Sequence, residues 1–200
     1  YITKEGKFLG GEVLADFKTF KSGDFSETEE VYFKADPSDN RLYTMREEKG
    51  GLFSKGGVRE AVFAEVHMAF VALHGTFGED GSIQGFFDTL NIPYIGCSTL
   101  SAAVGMDKKM MKDVFIAHGL PVLEAECFFR GEWEEAREQV EEKIAALGYP
   151  VFVKPANLGS SIGITKVKEA AELADAMELA CSYDRKILVE KAAENPREIN

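Results

Sequence analysis

Tyr149–Pro150–Val151–Phe152–Val153–Lys154–Pro155–Ala156–Asn157–Leu158–Gly159–Ser160–Ser161–Ile162–Gly163–Ile164 is the stretch on which the fold turns. Its apolar, β-branched opening reads as a buried strand. Pro155 keeps Lys154 extended at the end of that strand. A small loop with two glycines, two serines and an asparagine follows, and residues 162–167 resume as a second strand. A lysine at a strand end therefore faces a loop rich in free backbone N–H groups. That combination suits a polyphosphate: glycines let the backbone approach the oxygens, hydroxyls add donors and the ammonium supplies charge. The plainer reading is a hairpin with a surface lysine. Against it stand the apolar run around Lys154 and a loop longer and richer in glycine than a tight hairpin needs. The stretch is neither a P-loop, which sets Gly-Lys-Ser/Thr at a helix start, nor a Rossmann fingerprint.

The composition narrows the classes. A net charge of −11 over 200 residues argues against nucleic acid and against an anionic membrane as partners, because both need a basic face. A phosphate site in so acidic a chain has to be local. Apolar residues make up 45 %, enough for one or two cored domains. Cys97, Cys127 and Cys181 are odd in number and far apart, which fits reduced thiols in a cytosolic protein better than a disulfide framework or a zinc site. No apolar run reaches membrane-span length, and Tyr1 opens no signal peptide. The missing initial methionine and the stop at Arg197–Glu198–Ile199–Asn200 read as a fragment, or as a chain lacking both ends.

Outward from the central stretch, the two flanks differ. Residues 1–60 read as short pieces: a strand end at Tyr1–Thr3, a turn at Lys4–Lys7, aromatics destined for a core, and turns at Asp36–Asn40, Gly50–Gly51 and Gly56–Gly57. Met68–Leu73 reads as a central parallel strand. It runs into His74–Gly75–Thr76–Phe77–Gly78–Glu79–Asp80–Gly81, with Asp80 as N-cap of a helix over 82–90. Strand, glycine turn and helix place His74 where a parallel sheet presents a ligand; a histidine that bonds backbone to hold the turn is the equal alternative. Glu79 and Asp80 read as caps rather than metal ligands. Short helices follow over 98–104 and 107–117, the second closed by His118–Gly119–Leu120–Pro121. Lys108 and Lys112 share a face of that helix and read as solvated. From Glu124 onward the pattern is strand 125–129, helix 132–147, strands 151–154 and 162–167, helix 169–181 and strand 187–190. The fold class is thus an α/β N-terminal domain with a parallel sheet, then an α+β unit with an antiparallel sheet.

Several pieces together resemble the D-alanine–D-alanine ligases of the ATP-grasp class, in order and spacing over residues 65–200. His74 to Gly85 (HGTFGEDGSIQG) is similar to the family's long first-domain signature, and is the specific one. Ser101–Ala102 with Met106–Asp107–Lys108 resembles the entry to its central domain. Val153–Lys154–Pro155 with Gly159–Ser160–Ser161–Ile162–Gly163 resembles its phosphate loop, and Leu188–Val189–Glu190–Lys191 with Arg197–Glu198 its adenine and ribose segment. Ala192 to Pro196 departs from the family's wording.

The resemblance implies an N-terminal substrate-side domain over 1–97, preceding the ATP-grasp unit, a central ATP-grasp subdomain over 98–190 and the start of a C-terminal subdomain over 191–200. It implies that Lys108 and Lys154 contact ATP phosphates from two directions, with Ser161 and the amides near Gly159 closing over them. Glu190 would lie at the adenine pocket, backbone groups of Lys191 and Ala193 would bond the base, and Glu198 would hold the ribose. Ser160 and His74 would lie near the first D-alanine.

In the family, a D-alanine carboxylate attacks the γ-phosphate to give an acyl phosphate, and the amine of a second D-alanine displaces phosphate. Neither step needs an enzyme nucleophile; positioning and charge neutralisation suffice. The Mg²⁺ (or Mn²⁺) ligands belong to a C-terminal domain expected beyond residue 200, so this chain alone is expected not to ligate. A bacterial cytoplasm, peptidoglycan synthesis and a homodimer are further implications. The alternatives are a D-alanine–D-lactate, D-alanine–D-serine or other ATP-grasp ligase, and a nucleotide-binding module without catalysis.

Overall fold

A computed structural model describes residues 1–48 and 56–197. The turn expected at Gly50–Gly51 and the ribose residue Glu198 lie outside the described residues. The chain forms two compact units, Tyr1–Val71 with Gly85–Gly96, and Ala72–Gln84 with Cys97–Asn200.

In the first unit, β1 (Phe8–Gly10), β2 (Glu29–Phe33), β3 (Arg41–Glu48) and β4 (Gly57–Glu65) form an antiparallel sheet in sequence order, with α1 (Phe17–Ser22) between the first two strands. The parallel pairing expected here is β5 (Ala69–Phe70) beside β6 (Tyr94–Ile95). The strand expected over 68–73 shrinks to two residues because, among the described residues, it pairs with β6 alone and only at Ala69 and Phe70, and Phe70 is 75 % exposed. Between these strands, α2 (Ser82–Thr89) starts in the second unit's segment and runs into the first. Phe86 and Phe87 on α2 join Phe33 in edge-to-face contacts with centroids 5.6–6.3 Å apart, a favoured aromatic geometry. Of these Phe87 is buried and Phe33 and Phe86 partly so; of the aromatics expected in the core, Phe17 and Phe20 are instead exposed.

The second unit carries α3 (Thr99–Met106), α4 (Lys108–Ala117), β7 (Ala125–Phe129), α5 (Arg130–Glu135), α6 (Arg137–Leu147), β8 (Val151–Pro155), β9 (Thr165–Val167), α7 (Leu173–Tyr183) and β10 (Lys186–Lys191). Its antiparallel sheet runs β7-β10-β8-β9. Side chains alternate across a strand, so Val151 and Val153 of β8 and Ile187 and Val189 of β10 face one way. There they meet Ile144 of α6 and Leu173, Met177 and Ala180 of α7 in a buried core. Each such aliphatic side chain contributes about 1.5–3 kcal/mol on burial. Phe152, Lys154, Leu188 and Glu190 point to the opposite face, and directly opposed pairs (Leu188 with Lys154, Glu190 with Phe152) bring them together.

Two expected elements differ. The helix expected over 132–147 breaks at Ala136 (φ −134°, ψ 42°) into α5 and α6; an alanine gives no local sign of it. The strand expected over 162–167 keeps only Thr165–Val167, because Gly163 turns left-handed (φ 70°) and extended pairing starts after it. The helix α4 ends as expected: His118 Nδ1 donates to the Val114 carbonyl (2.8 Å) and Gly119 follows at φ 71°.

Candidate functional site

The site is assembled where α4 meets the polar face of the second sheet. Asp107 caps α4, accepting from the Lys109 and Met110 amides at 3.0 and 3.1 Å. Its other oxygen takes the Lys186 ammonium of β10 at 2.6 Å. Burial opposes ionisation of Asp107, yet Lys186 and the Met110 and Lys109 amides hold its carboxyl below the ordinary value. One residue on, the Lys108 N–H donates to Ala156 O (3.0 Å). The Lys108 ammonium donates to the carbonyls of Pro155 and Ala156 at 3.1 and 3.3 Å, and to that of Leu158. One turn further along the helix, Lys112 forms an ion pair with Glu190 at 2.5 Å and donates to Leu123 O at 3.1 Å.

The expectation that Lys108 and Lys112 are solvated is therefore overturned. They do share a helix face, but that face lies on the sheet and its end loop, and the Lys112 side chain is only 10 % exposed. Lys108 is pushed below its usual pKa by burial and then by the neighbouring Lys154 charge.

Lys154 lies at the expected strand end, its side chain 19 % exposed, with its ammonium 2.7 Å from Glu190 Oε1 and 5.4 Å above the Phe152 ring. Lys166 of β9 covers the same ring at 5.7 Å. Glu190, 12 % exposed at its side chain, thus meets two ammoniums. Burial raises its proton affinity, but Lys112 and Lys154 together keep the carboxyl below the usual value. The plainer hairpin-with-surface-lysine reading fails here: this lysine is enclosed and paired.

The loop after Pro155 has a pinned half and a free half. Lys108 holds its carbonyls, and Asp184 Oδ2 accepts from the Asn157 amide (2.8 Å) and side chain (2.9 Å). Beyond Leu158 the bonds are local: Ile162 N to Gly159 O and Ile164 N to Ser161 O. Ser160 and Ser161 both adopt left-handed backbone (φ 52° and 58°) and are exposed. That conformation costs about 1–2 kcal/mol per L-residue. Among the described residues, the N–H groups of Gly159, Ser160 and Ser161 donate to no protein acceptor. Successive unpaired amides in a turn make an anion cradle.

The remaining sequence-predicted residues sit apart from this cluster. His74 is exposed, and among the described residues its ring makes no hydrogen bond; Glu79, which accepts from Gly75 N (2.6 Å), and Asp80, which accepts from Phe77 N and Ser82 N (2.8 and 3.0 Å), hold the turn instead. The alternative of a turn-holding histidine is thereby excluded; Asp80 accepts from the first residue of α2 as expected of a cap, whereas Glu79 closes the preceding turn and caps no helix. The Lys191 amide donates to Glu124 O (2.9 Å), and Ala193 is exposed just past β10. Asp107, Lys112, Asp184 and Lys186 were not singled out by the sequence as site residues; only the four-residue spacing of Lys108 and Lys112 hinted at a shared task. An open groove of about 550 Å³ between α4 and β7 is lined by Lys112 but by none of the residues assigned a role.

An antiparallel sheet backed by two helices, with enclosed lysines and a glycine–serine loop on its other face, defines the ATP-grasp class. The chain matches the family model for the D-ala D-ala ligase N-terminus over residues 1–97 and that for the D-ala D-ala ligase C-terminus over residues 114–200. It is 41 % identical over 194 residues to the D-alanine–D-alanine ligase of Natranaerobius thermophilus, covering 95 % of this chain and 49 % of the relative. To that of Heliobacterium modesticaldum it is 43 % identical, covering 96 % and 49 %. Among solved structures it is similar to the VanG D-Ala:D-Ser ligase of Enterococcus faecalis, with a TM-score of 0.75 and 33 % identity over 96 % of this chain and 52 % of that one. The chain belongs to the D-alanine–D-alanine ligase family. It spans about half the length of the curated relatives it matches.

Proposed function

We propose that the protein carrying this chain joins two D-alanines to D-alanyl-D-alanine at the expense of ATP, through an acyl phosphate, to supply peptidoglycan synthesis in a bacterial cytoplasm. The observation that carries this reading is the enclosed lysine cluster beneath a loop with unpaired amides. On this reading residues 98–190 are the central ATP-grasp subdomain between a substrate-side domain (1–97) and the start of a further subdomain (191–200), in a homodimeric enzyme. Lys154 and Lys108 contact the ATP phosphates from two directions, Lys108 from beneath the loop whose carbonyls it holds. The amides at Gly159 and Ser161 close on the phosphate oxygens. Glu190 and the backbone at Lys191 and Ala193 line the adenine; the Lys191 amide is already engaged with Glu124, so its carbonyl is the group left to meet the base. Glu198 takes the ribose, and Ser160 and His74 meet the first D-alanine.

These groups accelerate transfer by fixing the carboxylate in line with the γ-phosphate and by neutralising charge, with no covalent enzyme intermediate. Mg²⁺ is the metal that ATP-dependent ligation calls for. Among the described residues no three His, Cys, Asp or Glu side chains gather to hold one, so these residues do not fit the ion. No helix among the described residues is long and apolar enough to cross a membrane.

The test is phosphate release from ATP and Mg²⁺ by the full-length protein, with and without D-alanine. Release only with D-alanine, reduced at least about tenfold by Lys154→Ala (the scale of one charge-assisted hydrogen bond), supports the reading. Release that needs D-serine or D-lactate as second acceptor moves the specificity, and no acceptor-dependent release refutes ligation.

A further inference from the structure

Glu190 is one carboxylate between two lysines, and the lysines are not equivalent. Lys112 reaches Glu190 Oε2 (2.5 Å) and Leu123 O (3.1 Å) from α4, with its side chain 10 % exposed. Both partners belong to the protein and little of the ammonium faces solvent, so Lys112 is not a phosphate ligand itself. Lys154 reaches Glu190 Oε1 (2.7 Å), stands over Phe152 and is the more open of the two. A phosphate that recruits Lys154 has to draw it from Glu190. A buried carboxylate stripped of its last cation is strongly unfavourable, so the transfer is feasible only if another ammonium stays behind.

We propose that Lys112 is a positioning residue: the permanent counter-ion of Glu190, which frees Lys154 for the nucleotide phosphates. This rests on the ATP reading above for the identity of the phosphate, but not for the pairing itself. With Lys112 present, Glu190 shares its charge between two oxygens and two ammoniums, and Lys154 leaves a carboxylate that is still paired. Without Lys112, Glu190 depends on Lys154 alone and competes with the phosphate for it. Glu190 also tethers α4 to the sheet through Lys112, alongside the Asp107–Lys186 pair one turn earlier.

The experiment uses the full-length protein with Lys112→Met, Lys112→Gln and Lys112→Arg, each confirmed folded by its unfolding curve. Lys112→Gln keeps a hydrogen-bond donor for Leu123 and loses the charge, so it stands in if the methionine variant does not fold. Lys154 availability is read without nucleotide, as its acetylation rate by acetic anhydride, located by mass spectrometry. ATP dissociation constants are read separately. Loss of the Lys112 charge slows Lys154 acetylation and weakens ATP by about tenfold or more. Lys112→Arg restores both, and adding Glu190→Gln to Lys112→Met restores the acetylation rate. Unchanged Lys154 acetylation in folded Lys112→Met or Lys112→Gln overturns the proposal. A wild-type protein that binds no ATP refutes the ligase reading instead, and the acetylation series still decides the pairing.

Discussion

Gly163 closes the glycine–serine loop after Pro155, and Gly163→Ala tests how tightly that closure is built. Its backbone sits at φ 70°, and a Cβ there would lie 2.8 Å from both Pro155 Cγ and Tyr183 Cδ2. Tyr183 is half exposed and can swing aside, but Pro155 is a rigid ring in the fully buried set. Left-handed backbone costs an L-residue about 1–2 kcal/mol, and forcing a methyl against a packed core about 1–3 kcal/mol more. The expected loss is therefore about 2–5 kcal/mol. Gly159, four residues earlier in the same loop, is the internal control: its backbone is not left-handed and a Cβ there meets nothing within 4 Å, so Gly159→Ala should change stability by about 0.5 kcal/mol or less. Urea unfolding followed at Trp133 reads the right unit, since this single tryptophan lies in the core of the same sheet. Equal midpoints for the two variants would refute the claim that Pro155 fixes the path of the loop.

Two further outcomes concern the charges around α4. Asp107→Ala uncaps the helix and leaves the Lys186 ammonium, 16 % exposed at its side chain, without its partner; the expected cost is about 3–5 kcal/mol in the same assay, and a cost under about 1 kcal/mol would show that the pair does not anchor the helix. Asp107 and Glu190 both have folded-state pKa values depressed below their usual 3.8 and 4.5. A depressed carboxyl stabilises the fold above its unfolded pKa and loses that contribution as pH falls through the folded value. Stability should hold as the pH is lowered from neutrality to 5 and fall below about 4.5, with a shallower fall in Glu190→Gln; an equally steep fall in that variant would remove Glu190 from the acid-sensitive set.

The legible part of the sequence was the part governed by local rules. A continuous apolar, β-branched run located the strand that ends at Lys154, and Ile187–Glu190 read as the last strand. His118–Gly119 marked the end of α4 through cap chemistry. What escaped depended on tertiary pairing. The i,i+4 spacing of Lys108 and Lys112 is visible on any helical projection, but whether that face meets water or a carboxylate is decided by β10, more than seventy residues later. The first 48 residues read as turns and short pieces, yet Val31, Tyr43 and Thr44 are buried in an antiparallel ladder whose partners no local pattern names. The loop's Gly163 was visible as a glycine; its need for one lies in Pro155 and Tyr183.

On the proposed reading, the site also reconciles an acidic chain with an anionic ligand. Lys108, Lys112, Lys154, Lys166 and Lys186 gather against Asp107, Asp184 and Glu190, so this one face holds a surplus of two ammoniums in a protein of net charge −11. The three carboxylates do not dilute that surplus at random. Asp107 and Asp184 hold the helix start and the first half of the loop, and Glu190 lies between the two lysines nearest the strand centre. Each negative charge therefore fixes the position of a positive one or of a backbone amide. Among the described residues, the amides of Gly159, Ser160 and Ser161 are donors without a protein acceptor, on the side of the loop away from the Lys108 and Asp184 contacts. On the proposed reading, an anion entering there would meet fixed ammoniums from below and adaptable amides from above, the division of labour that phosphoryl transfer by positioning requires.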